Sequence, residues 1–121
     1  MNFQQYIQES ARTCPRLEFN YTSDFLDQLH MVIGASTETN ELLDAYKKRF
    51  AYGKRIDFVN VEEEIFDALW YLANLCRMLD IDVEKGFDKN IAKLRQRFPD
   101  KFTQSEAINR DLDKEREILE Q

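Results

Sequence analysis

The stretch NVEEEIFDALWYLANLCRML, residues 60–79, decides the fold class. Ile65, Leu69, Leu72, Ala73, Cys76 and Leu79 recur at the spacing that lines one face of an α-helix. Neither glycine nor proline interrupts the run. Asn60 can cap its start, and Glu63, three positions on, can return a hydrogen bond to the cap backbone. The segment therefore reads as a long amphipathic helix with a defined beginning.

Outward from it the chain reads as more helix. Upstream, Thr22-Ser23 offers an N-cap, and Phe25, Leu26, Leu29, Val32 and Ile33 follow at helical spacing. That helix continues through Leu42, Leu43 and Tyr46 to about Phe50. Gly34 marks a bend or a close helix contact within it, and Gly53 the loop that follows. Residues 2–12 form a short amphipathic stretch ended by Cys14-Pro15. Downstream, Asp80-Ile81-Asp82 turns the chain into a helix over about 82–97, with Val83, Phe87, Ile91 and Leu94 inward and Pro99 as its stop. Thr103 with Glu106 makes a capping box for a charged helix over 104–119. Its apolar positions are sparse, so it packs on a neighbouring helix or on a second subunit.

Composition excludes the other classes. Gly and Pro number three and two in 121 residues, about 4% against a usual combined share of about 12%, too few turn formers for a sandwich, a barrel or a glycine-looped nucleotide fold. The length fits a single domain, residues 1–121. A net charge of −6 and a pI near 4.8 speak against nucleic acid as a partner. No apolar run approaches the roughly 18 residues of a membrane span, and no secretory signature opens the chain. Cys14 and Cys76 have no C-x-x-C pairing and read as free thiols of a cytoplasmic protein. An all-α, four-helix-bundle-like chain with an extra C-terminal helix is expected.

Four acidic residues stand apart from the rest. Glu38 and Glu41 are three apart, as are Glu64 and Asp67. That spacing brings each pair onto one helix face, with Cβ atoms about 5–6 Å apart. Facing antiparallel helices would gather all four carboxylates, which repel unless a cation neutralises them. Oxygen-only ligands favour Mg²⁺, with Mn²⁺ as a substitute. Residues 64, 67, 71 and 74 fall within about 80° on the helical wheel, so Tyr71 and Asn74 continue the polar stripe. Lys47, Lys48, Arg49, Lys54 and Arg55 follow the first acidic pair, and Asn90, Lys93 and Arg97 share a face of the fourth helix. Cations on one side and a metal on the other would clamp a polyphosphate. The competing readings are a solvated acidic face with incidental spacing, and cations that serve solubility and the helix C-terminus.

These residues resemble the MazG-like all-α nucleoside triphosphate pyrophosphohydrolases, which carry Glu-x-x-Glu on one helix and Glu-x-x-Asp on the next. The matching words are LHMVIGASTETNELLDAYKK, then YGK, then VEEEIFDALWYLANL, then NIAKLRQRFPDKF with SEAINRD, as in the short, phage-type members. The resemblance spans roughly residues 25–112. Two departures concern packing. Ser36, Thr37 and Asn40 stand where small residues are common, and Ile65-Phe66 stands where Leu-Gly is common.

The resemblance implies Mg²⁺-dependent cleavage of a (deoxy)nucleoside triphosphate to monophosphate and pyrophosphate, for pool control or housecleaning. It implies metal binding by Glu38, Glu41, Glu64 and Asp67, with Glu38 or Glu41 activating water. Lys93, Arg97 and Lys54 would neutralise the phosphate chain, Asn90 would contact sugar or base, and Tyr71 and Asn74 would lie beside them. It also implies a homodimer or homotetramer, which fits the many apolar residues, Trp70 among them, that one small protomer leaves to cover.

Two rivals follow from other classes. One is a non-catalytic helical interaction module with solvated acids; magnesium-dependent pyrophosphate release separates it from the enzyme. The other, a carboxylate-bridged di-iron bundle, needs Glu-x-x-His. The single histidine, His30, follows no glutamate by three, which leaves it a packed or hydrogen-bonded residue.

Overall fold

In a computed structural model describing residues 1–121, the chain forms six helices: α1 (Phe3–Thr13), α2 (Ser23–Tyr52), α3 (Phe58–Met78), α4 (Val83–Arg97), α5 (Gln104–Ile108) and α6 (Leu112–Glu120). No strand is present, so the expected all-α class holds. Each helix begins at a side chain that accepts from an orphan backbone N–H: Asn2, Thr22, Asp57, Asp82, Thr103 and Asp111. Gly53 closes α2 in the left-handed region at φ 66°, where its N–H reaches Arg49 O.

Two expectations change in detail. The start of α3 is capped by Asp57, not by Asn60, because the Asp57 carboxylate accepts from Val59 N at 3.0 Å and Asn60 N at 3.4 Å. Asn60 thus lies inside the first turn, with its side chain free for another partner. The helix expected over 104–119 is two helices. Asn109 turns its amide back onto Ser105 O at 2.9 Å, and Asp111 starts α6 by accepting from Lys114 N at 3.1 Å. Short polar side chains of this kind compete with helix continuation. Of the two readings of Gly34, the close contact holds: α2 runs unbroken for 30 residues and the Tyr71 ring lies against Gly34.

Packing is concentrated in two helical pairs, α2 with α3 and α4 with α6. The five-residue connection over 53–57 forces α2 and α3 to run antiparallel. Their seam buries Met31, Gly34, Glu64 and Ala68. The charged C-terminal helix docks on its neighbour α4, also antiparallel. Lys85 Nζ donates to Gln121 O at 3.0 Å, Lys89 Nζ to Leu119 O at 2.8 Å, and Arg97 pairs with Glu115.

The remaining apolar faces lie open. Leu26, Val32, Leu69, Trp70, Phe87 and Ile91 are all exposed in the single protomer. No helix is long and apolar enough to cross a membrane.

Gly86 lies within α4, and a Cβ built there meets nothing within 4 Å. Replacing it removes backbone freedom from the unfolded chain at no steric cost. Gly86→Ala is expected to raise stability by roughly 0.5–1 kcal/mol, read as a higher urea midpoint at unchanged slope.

Candidate metal centre and cleft

The seam of α2 and α3 would be unremarkable apolar packing if it did not carry acids. Glu38 and Glu41 come from the middle of α2, and Glu64 from the second turn of α3. Glu64 is only 4% exposed, Glu38 is half-buried and Glu41 is exposed. One carboxylate oxygen from each of the three lies within 4.8 Å of the others. Asn60 Nδ2 donates to Glu64 Oε1 at 2.7 Å, an i,i+4 contact along α3 that orients the buried carboxylate.

No ion pair in the protomer involves any of these three residues. Their charges therefore act on one another. Burial pushes the Glu38 carboxyl above its ordinary range, and a contact with the Glu64 carboxyl and the charges of Glu41, Glu64 and Asp67 add to it. For Glu41 the charge of Glu64 is the largest cause, followed by burial. Asp67 is exposed and stands outside the close group of three, yet its charge raises both glutamates of α2. Converging, uncompensated oxygen donors form a set that fits a hard divalent cation.

A cleft of about 440 Å³ opens beside Glu41 and Glu64. Lys48, Lys54 and Arg55 contribute its basic groups, and Asp44, Asp57 and Asn60 also line it. Lys48 is held by Asp44, with Nζ 2.6 Å from Oδ2. Lys54 and Arg55 take part in no salt bridge, so their charges are open to an anion. The α2–α3 connection thus sets cations next to the acids.

The other residues singled out in the sequence are dispersed. Tyr71 is half-buried, lies against Gly34, and meets His30 and Trp70 edge-on at ring separations of 6.2 and 5.1 Å. Asn74 is engaged along α3, donating to Trp70 O at 3.0 Å and accepting from Arg77 at 3.2 Å. Asn90 and Lys93 sit on α4 and do not line the cleft. Arg97 is committed within the protomer. Its guanidinium forks onto Glu115 at 2.8 and 2.6 Å, where Arg110 joins it at 2.6 Å.

Sequence reasoning does not single out two residues that the fold brings here. Asn60 reads first as a cap, although its four-residue distance from Glu64 also fits a side-chain pair. Arg55 is one of five basic residues, and nothing in its spacing sets it apart from Arg49 or Lys47.

A family model for the MazG nucleotide pyrophosphohydrolase domain matches residues 27–102. The chain belongs to this family. Searches of curated proteins and of solved structures returned no match. The matched MazG span holds both acidic pairs, the cleft and all of α4, and it ends before α6. The docking of Glu115 on Arg97 therefore joins a segment beyond the matched MazG domain to a helix within it.

Proposed function

We propose that this MazG domain hydrolyses (deoxy)nucleoside triphosphates to the monophosphate and pyrophosphate in a Mg²⁺-dependent reaction, with Mn²⁺ able to substitute. The observation that carries the reading is the convergence of Glu38, Glu41 and Glu64 beside a cleft that also presents Lys54 and Arg55. Membership of a nucleotide pyrophosphohydrolase family supports the reaction class.

Glu38, Glu41 and Glu64 would hold the ion, with Asp67 beside them and Asn60 keeping Glu64 in place. A bound divalent ion supplies charge neutralisation on phosphate oxygens and a more acidic water. Glu38, whose proton affinity is raised by burial, accepts the proton of the attacking water. The water oxygen bonds to phosphorus, the α–β phosphoanhydride bond breaks, and pyrophosphate leaves. Lys54 and Arg55 hold the phosphate chain, so Lys54→Ala is expected to raise KM roughly tenfold with a smaller effect on kcat. Arg97 acts as a scaffold for α6 rather than on substrate.

Self-association completes the proposal. The open apolar faces of α2, α3 and α4 exceed what a soluble monomer ordinarily exposes. Covering them with a second copy offers Asn90 and Lys93 a route toward a phosphate chain. Sedimentation at micromolar concentration should give a homodimer or homotetramer, and a lone monomer would overturn this part.

A panel of canonical and modified nucleoside triphosphates, assayed with Mg²⁺ and with chelator, tests the activity. Magnesium-dependent pyrophosphate release from at least one substrate is expected, in keeping with a cytoplasmic role in pool control or housecleaning. Orthophosphate as the sole product, or no turnover across the panel, would refute it.

A further inference from the structure

Gly34 and Tyr71 meet one helical turn away from the acids. Gly34 precedes Glu38 by four residues on α2, and Tyr71 follows Asp67 by four on α3. Gly34 is buried, and the Tyr71 ring lies so close that a Cβ added at 34 would fall far inside 3.0 Å of three ring atoms. Ring atoms are not the tip of a flexible chain, and the Tyr71 ring also meets Trp70 and His30 edge-on. To regain ordinary contact at 3.4–4 Å, the ring and the helix carrying it would have to retreat by about 1 Å or more. Interaxial separation depends on the side chains at the contact, and a glycine gives the closest approach. Mg²⁺ tolerates little such change, because it demands near-ideal octahedral geometry at about 2.0–2.1 Å.

We propose that Gly34 is a positioning residue for the metal centre: by letting the Tyr71 ring lie on the backbone of α2, it sets the separation of α2 and α3 at which Glu38 and Glu41 meet Glu64. The proposal rests on the metal-binding reading above but concerns geometry, not chemistry. Thr37 supports the same turn, donating from Oγ1 to Gly34 O at 2.8 Å.

Equilibrium Mn²⁺ binding, read from the spectrum of free Mn²⁺ without nucleotide, tests it. Gly34→Ala should weaken binding at least tenfold. On a Tyr71→Ala background, where the obstructing ring is gone, adding Gly34→Ala should change affinity less than twofold. Gly34→Ala binding within twofold of wild type, or losses that simply add in the double variant, would overturn the proposal. Should Gly34→Ala fail to fold, a second pair decides. Tyr71→Phe keeps the ring and should bind within twofold of wild type, whereas Tyr71→Ala should bind at least fivefold more weakly; equal affinities in that pair overturn the proposal. If wild-type protein shows no saturable Mn²⁺ binding, the metal reading falls and this inference with it. Intact wild-type binding with an indifferent Gly34→Ala removes this inference alone.

Discussion

Glu64→Gln is expected to lower Mg²⁺-dependent pyrophosphate release by roughly 10³-fold or more, with no loss of helix content. The reason lies in the site of Glu64, the most buried of the converging acids, bonded to Asn60 and within 4.8 Å of the carboxylates of Glu38 and Glu41. A glutamine there keeps the shape, and its Oε1 can still accept from Asn60. It removes one negative charge from a group that holds the others above their ordinary proton affinities. Metal-free protein should therefore be as stable as wild type or more so, while the rise in Tm on adding Mg²⁺ should vanish.

The two readouts separate function from folding. A structural carboxylate would give the opposite pattern, with lower Tm and activity that survives in proportion to the folded fraction. The raised carboxyls also give the metal-free protein a pH signature. Groups whose folded proton affinity exceeds the unfolded one stabilise fully below the unfolded pKa, near 4.5, and that contribution is lost as pH rises through the raised folded values. In chelator, the Glu38 and Glu41 contribution to Tm should fall as pH climbs above about 4.5, and Mg²⁺ should restore it.

Glu115→Gln should lower Tm by roughly 10 °C, the largest stability effect expected of any single surface-helix change in this chain. Glu115 is 3% exposed, although six of the nine residues of its helix are charged. What holds it is charge. Arg97 forks onto both its oxygens and Arg110 adds a second guanidinium. These pairs, Arg97 first, hold the Glu115 carboxyl far below the usual carboxylate range. Losing the carboxylate leaves two cations facing each other and leaves α6 held on α4 by Lys85 and Lys89 alone among the polar contacts. Here the pH sign is reversed. A depressed folded pKa stabilises above the unfolded value, near 4.5, and that contribution is lost as pH falls below it. The Tm gap between wild type and Glu115→Gln should be full at pH 7 and shrink steadily below about pH 4.5. A gap that persists undiminished at about pH 2.5 would show that packing, not the ion pair, holds the helix.

Much of the site was legible in the residues. Glu-x-x-Glu and Glu-x-x-Asp declare themselves because a helix turns a three-residue spacing into proximity, and both pairs adjoin core positions. Lys54 was named from the family resemblance, and the fold sets it in the lining of the cleft. For Arg97 the structure adds a partner that spacing does not show. A cation four residues after Lys93 looks the same in sequence whether it meets a phosphate or a carboxylate 18 residues away, and only the fold brings Glu115 beside it. Asn60 carried two signals at once, a cap and an i,i+4 partner, and Asp57 won the first role because its charge suits a helix N-terminus better.

By itself the sequence determined that the chain is helical, where the long helices run, and which acids share a face, since these depend on spacing and on the scarcity of glycine and proline. The tertiary structure decided what spacing cannot express. Three of the four acids converge closely and Asp67 stands outside that group; Gly34 serves as a contact for the Tyr71 ring; and α6 returns to α4 through a buried carboxylate. Each of these is a meeting between residues distant along the chain, set by how helices approach and which charges find partners there, and periodicity along one helix holds no record of its neighbour.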